Sequence, residues 1–103
     1  MTSATTADGW KEMWGARVAW PCDMRDDMLE SAVTVTKRHM AAVGDLDVGG
    51  AQLAQLVKEE FDDTWGMKWH VMIGTSFGCH ATHEAGCFVH FYVAEWAVMI
   101  FKA

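Results

Sequence analysis

The chain has 103 residues, 51% of them hydrophobic, 21% charged and six of them Trp, with a net charge of −6. That size allows one domain with a modest core, and that composition is too apolar for a disordered segment. The acidic balance argues against nucleic acid or an anionic membrane as the main partner. Three cysteines (Cys22, Cys79, Cys87) form no Cys-x-x-Cys pair and no even framework, which suits a reducing compartment. No basic region followed by an apolar core opens the chain, so a secretory signal is not expected. No run approaches the ~20 apolar residues that span a bilayer.

Residues 1 to about 9 are small and polar and are expected to be mobile. Trp10, Met13 and Trp14 fall at i, i+3 and i+4, which predicts one face of a helical turn. Residues 1–15 are therefore read as an N-terminal arm, packed on its own domain or on a larger assembly. Residues 16–103 are read as the domain. Arg17–Trp20 reads as a short strand stopped by Pro21. Asp23 is a candidate helix cap, and Asp26 and Asp27 suit the positive end of the dipole. The helix they open is predicted over Arg25–Val43. Its buried stripe is Met28, Ala32, Val35, His39 and Ala42, flanked by Val33 and Met40. Gly44 is its expected C-cap. His39 is expected to be a hydrogen-bonded residue at the edge of the core rather than a ligand.

Gly44–Gly50 reads as a glycine-rich linker, and a second helix is predicted over Ala51–Thr64. Leu53, Leu56, Val57, Phe61 and Trp65 make its apolar stripe, and Lys58, Glu59, Asp62 and Asp63 its wet face. The last third is apolar, aromatic and β-branched in short pieces. Four strands are predicted there: Trp69–Ile73, Phe77–His83, Cys87–Val93 and Trp96–Phe101. Alternation puts Phe88, His90 and Tyr92 on one face of the third and Val89, Phe91 and Val93 on the other. Both faces are apolar and need covers. Helices suit one, and a second protein chain suits the other. Two helices followed by a run of strands predict an α+β domain, with the helices packed on an antiparallel sheet.

Gly74-Thr75-Ser76-Phe77-Gly78 fits the G-x-S-x-G pattern of a nucleophile elbow. That motif needs a helix after the serine and a large α/β scaffold, and here a strand follows. The bland reading is a tight connection with permissive glycines. His83-Glu84-Ala85-Gly86-Cys87 lacks the final His of a zinc-protease helix and contains breakers. Cys79, His80, His83, Cys87 and His90 form a denser set of metal-ligand types. Cys79 and His83 stand about 13 Å apart on one extended strand, too far for one zinc ion without bending the chain. A site assembled across strands or across a dimer stays open. The preferred reading is of polar side chains lining a groove. No metal ion, cofactor or catalytic residue is expected.

Trp69-His70, Gly74, Phe77-Gly78, Thr82-His83-Glu84, Phe88, Phe91-Tyr92 and the ending Phe101-Lys102 resemble the signature of the small dynein light chain family. The likeness is ordered, nearly gap-free here and extends more weakly back to Ala16. It implies a non-catalytic α+β protein whose protomers exchange a strand, here Phe77–Thr82, to form a dimer with itself or a sister light chain. The family binds extended peptides by strand addition, a mode in which backbone hydrogen bonds give affinity and side-chain pockets give selectivity. The resemblance assigns peptide binding to Phe77, Cys79, His80, Ala81, Thr82, His83, Phe88, His90 and Tyr92. It assigns the dimer interface to His70, Phe77, Gly78, Cys79 and Thr82. Cys79 stands where the family has Ser, His80 and His90 where it has Tyr, and Ala81 where it has Val. Gly50 and Ala51 align with a Glu and a Lys that read a Gln of the target. The implied partners are segments of dynein intermediate chains and other dynein subunits, in the cytoplasm and cytoskeleton. The altered groove and Trp-bearing arm suggest an axonemal outer-arm member, in a cilium or flagellum. A general cytosolic peptide-binding hub, or a metal- or redox-active Cys/His protein, is the alternative.

Overall fold

In a computed structural model, residues 10–19, 22, 24–66, 68–75 and 86–102 are described. The elements run β1 (Trp10–Met13), β2 (Ala16–Ala19), α1 (Asp26–Val43), α2 (Leu46–Trp65), β3 (Trp69–Gly74), β4 (Phe88–Val93) and β5 (Trp96–Lys102). The strands form one antiparallel sheet in the order β1-β2-β4-β5-β3. The predicted α+β class is the one observed, and three of the predicted last-third strands agree to within a residue at each end. The predicted strand Phe77–His83 lies outside the described residues, as do residues 1–9, Pro21 and the candidate cap Asp23.

The predicted helical turn at Trp10–Trp14 is a strand and a hairpin turn instead. Met13 pairs with Ala16, leaving Trp14 and Gly15 as a two-residue loop with φ of 51° and 81°. Positive φ at both loop positions is the backbone twist that joins antiparallel strands most directly, and Gly15 adopts it without steric cost. The Lys37 ammonium donates to the Trp14 carbonyl at 3.0 Å, tying the turn to α1. A spacing of i, i+3, i+4 over only five residues does not separate helix from strand once a neighbouring strand is available for pairing.

Helix α1 starts with Asp26 and Asp27, whose charges face the positive end of its dipole. Asp27 Oδ1 accepts the Met28 N–H at 2.8 Å, and Arg25 holds both carboxylate oxygens. Gly44 ends the helix as expected, at φ 84°, donating its N–H to the Met40 carbonyl at 3.0 Å. The buried face is Met28, Leu29, Ala32, Val33, Val35 and Thr36. Ala42, expected on it, is exposed, while Met40 and Val43 of the same last turn pack against the core. Thr36 is buried with its hydroxyl donating to the Ala32 carbonyl at 2.7 Å. His39 is hydrogen-bonded as expected, with Nε2 2.9 Å from Glu60 Oε1.

Helix α2 begins at Leu46, not at Ala51, so most of the expected linker is its first turn. Leu46 is buried in the core, and the Asp45 carbonyl accepts the N–H groups of Val48 and Gly49. Burying Leu46 offsets the roughly 1 kcal/mol helix cost of each glycine. Gly49 also has a steric reason: a Cβ there would collide with Val43 Cγ1 across the junction. Leu53, Val57 and Phe61 are fully buried, while Leu56 and Trp65 are half-buried. Asp62, expected on the wet face, instead ties helix to sheet. It accepts the Trp69 N–H at 2.8 Å and pairs with Lys58.

The helices cover one face of the sheet. Leu29, Val33, Leu53, Val57 and Phe61 pack there against Val18, Val89, Phe91, Val98 and Ile100. Trp69 fills the end of this layer, edge-on to Phe61 with ring centres 4.9 Å apart.

Candidate functional site

Strand alternation aims Phe88, His90 and Tyr92 away from the helices, as predicted, because Val89 and Phe91 take the core side. Cross-strand register builds three rows on this outer face. Arg17, Tyr92 and Ala97 form the first, His90, Met99 and Met72 the second, and Phe88, Phe101 and His70 the third. Ala97 and Met99 are buried although they belong to this side. The rings touch within the third row and between rows along β4. His70 stacks on Phe101 at 5.2 Å, Phe88 meets Phe101 at 6.2 Å, and His90 meets Tyr92 at 5.7 Å. Burial pushes the His90 imidazole below its usual value, because losing water penalises the cation.

Strand β3 pairs only with β5 among the described residues, so its other side is an open edge. His70 is exposed on that strand, and Met72 keeps 41% of its surface in solvent. An edge of this kind presents spare backbone donors and acceptors to an incoming strand. The arrangement thus offers an apolar, aromatic floor next to a strand-pairing edge. It is suited to an extended chain.

The structure brings Phe88, His90, Tyr92 and His70 onto one face. Phe77, Gly78, Cys79, His80, Ala81, Thr82 and His83 lie outside the described residues. Of the five metal-ligand types, only Cys87 and His90 are described, and no group of three His, Cys, Asp or Glu residues converges among the described residues. Cys22 and Cys87 are free thiols, and Cys22 Sγ lies 3.6 Å from the Phe88 carbonyl oxygen. Gly50 and Ala51 lie inside α2, and nothing stands within 4 Å of the place where a Gly50 side chain would begin.

Trp10 and Arg17 also belong to this face and were missed in the sequence. Trp10 meets His90 and Tyr92 edge-on at 5.5 and 5.3 Å. The Arg17 guanidinium lies over the Tyr92 and Trp10 rings at 5.1 and 5.7 Å. The available signal was the Trp14-Gly15 pair between two short segments, which as a hairpin turn places Trp10 and Arg17 on the same face.

The Dynein light chain type 1 family profile matches residues 16–103. A cytoplasmic dynein light chain 1 of Candida glabrata is 36% identical over 80 residues, covering 78% of this chain and 88% of its own. The corresponding Saccharomyces cerevisiae protein is 35% identical over 81 residues, covering 78% and 83%. The solved dynein light chain-like domain of a Fasciola hepatica calcium-binding protein superposes with a TM-score of 0.78 at 18% identity. It covers 89% of this chain and 95% of that one.

Proposed function

Because the chain belongs to the dynein light chain family, whose members are non-catalytic subunits, we propose that it dimerises and clasps an extended segment of a dynein intermediate chain. The carrying observation is the open β3 edge beside the outer-face floor of Phe88, His90 and Tyr92. In this reading the strand Phe77–Thr82 of one protomer pairs with the other protomer's β3. The peptide then adds to the strand's free edge, lined by Phe77, Cys79, His80, Ala81, Thr82 and His83. His70, Phe77, Gly78, Cys79 and Thr82 meet the second protomer. Residues 16–103 act as the light chain domain, and residues 1–15 are an addition to it. The relatives named cytoplasmic support work with dynein in the cytoplasm and on the cytoskeleton. The axonemal outer-arm reading rests on the divergence of the groove and on the Trp-bearing arm, and none of the relatives named above carries that description.

Gly50 and Ala51 set the expected selectivity. A carboxylate acceptor for a peptide Gln contributes about 1.5–3 kcal/mol, roughly ten- to a hundredfold in affinity. Gly50 has no side chain to supply it, and Ala51 has no ammonium. Calorimetry with an intermediate-chain peptide bearing a central Gln, its Gln→Ala variant and a variant with a central Pro tests the reading. Gln→Ala should change affinity little. The Pro variant should not bind, because it removes a ladder donor. Equal binding of the Pro variant would exclude strand addition.

A further inference from the structure

Strand β1 lies before the stretch that the family profile matches, yet it is woven into the candidate binding face. Register settles its orientation: Trp10 pairs with Ala19 and Arg17 with Tyr92, so Trp10 and Arg17 both project to the side of Phe88, His90 and Tyr92. Trp10 and Tyr92 meet at 71°, forming a corner of two aromatic walls. The Arg17 guanidinium sits in that corner, over both rings. Stacking of this kind fixes the plane of a guanidinium while leaving its edge N–H groups free to donate.

Arg17 is exposed and takes part in none of the ion pairs among the described residues. Glu12 stands opposite it on β1, and still the guanidinium leans onto the rings rather than onto that carboxylate. The remaining titratable groups on this face among the described residues are His70, His90 and Tyr92. Arg17 is therefore the only fixed cation among the described strand residues that the register places on the outer face. Lys11 and Lys102 belong by register to the helix side.

We propose that Trp10, Arg17 and Tyr92 form a subsite that reads an Asp or Glu carboxylate of the bound extended peptide. The planar fork of Arg17 matches a carboxylate with two parallel hydrogen bonds. Trp10 and Tyr92 hold that fork in place by stacking against it. The proposal deepens the strand-addition reading and depends on it.

The test is selection of peptides from a random ten-residue display library on the full chain and on its variants. Wild type should enrich Asp or Glu at one fixed position. Arg17→Glu should turn that position to Lys or Arg and leave the others unchanged. Trp10→Ala should weaken the acidic preference by about tenfold, and Arg17→Lys should keep it in weakened form. Should Arg17→Glu lose its fold by circular dichroism, Arg17→Gln takes its place and should erase the acidic preference. Enriched peptides whose acidic position survives Arg17→Glu or Arg17→Gln overturn the subsite and leave strand addition standing. No enriched peptide on wild type overturns strand addition, and the subsite with it.

Discussion

His90 occupies the centre of the outer face, between Tyr92 on its own strand and Met99 across the ladder. Its burial favours the neutral ring, so the folded protein takes up its proton at lower pH than the unfolded chain does. The sign follows from linkage. Above the unfolded value of 6.5 both states are neutral there and the full stability is present. As pH falls below 6.5 the unfolded chain binds a proton first, and stability is lost until the folded ring is protonated too. Glu60 and Asp62, both held low in the folded chain, act in a more acidic window, below their ordinary values of 4.5 and 3.8. Urea denaturation of wild type and His90→Phe between pH 8 and pH 5 separates the two windows. The variant should show a shallower loss between pH 6.5 and pH 5. Identical slopes would show that His90 does not feel its burial.

At the scale of elements, the junction of α1 and α2 offers a paired test. Gly49 and Gly50 are neighbours in one helix, and each costs roughly 1 kcal/mol of helix propensity relative to Ala. Gly50 faces open space, so Gly50→Ala should stabilise by about 0.5–1 kcal/mol. Gly49→Ala meets Val43, whose β-branched side chain has little freedom to turn away. An overpacking cost of about 1–3 kcal/mol outweighs the propensity gain, so Gly49→Ala should destabilise. Denaturant midpoints for the two variants check it, and a stabilised Gly49→Ala would mean that the helices separate at no cost. The same glycines explain why the start of α2 was misplaced from sequence. Composition marks Gly49-Gly50 as a break, while the reasons for the helix, a buried Leu46 and a close approach to Val43, are tertiary. The first part of the α1 stripe (Met28, Ala32 and Val35), the strands Trp69–Ile73, Cys87–Val93 and Trp96–Phe101, and the side taken by Phe88, His90 and Tyr92 were legible because each follows from a local period of 3.6 or 2. The place of Trp10 and Arg17 in the site was not, because it depends on β2 pairing with β4 across most of the chain length.

For the whole molecule, the decisive asymmetry is between the two faces of the sheet. One carries both helices and the full core, while the other carries Phe88, Phe101, Met72 and His70 next to the open edge of β3. A domain of 103 residues gains little margin from one core, and covering the second face adds burial that a lone chain lacks. In a symmetric dimer both protomers use the same surface patch, and only residues near the two-fold axis meet their own copies. His70 is exposed and stacked on Phe101 at the open edge, and in the proposed dimer, where the family resemblance puts it at the interface, an ammonium there would meet a layer of rings and, near the two-fold axis, its symmetry mate. Like charges brought together in a partly dehydrated interface repel strongly, and Lys carries its charge throughout the neutral range. We therefore expect wild type to sediment as a dimer at micromolar concentration and pH 7.4, and His70→Lys to sediment as a monomer. Mass action adds an independent check, since the melting temperature of a dimer rises with protein concentration and that of a monomer does not. Wild type should show that rise over a hundredfold dilution series, and His70→Lys should not. A wild-type chain that sediments as a folded monomer, with a melting temperature independent of concentration, would overturn dimerisation. A His70→Lys variant with the wild-type dimer constant would leave the dimer standing and move its contact surface away from β3.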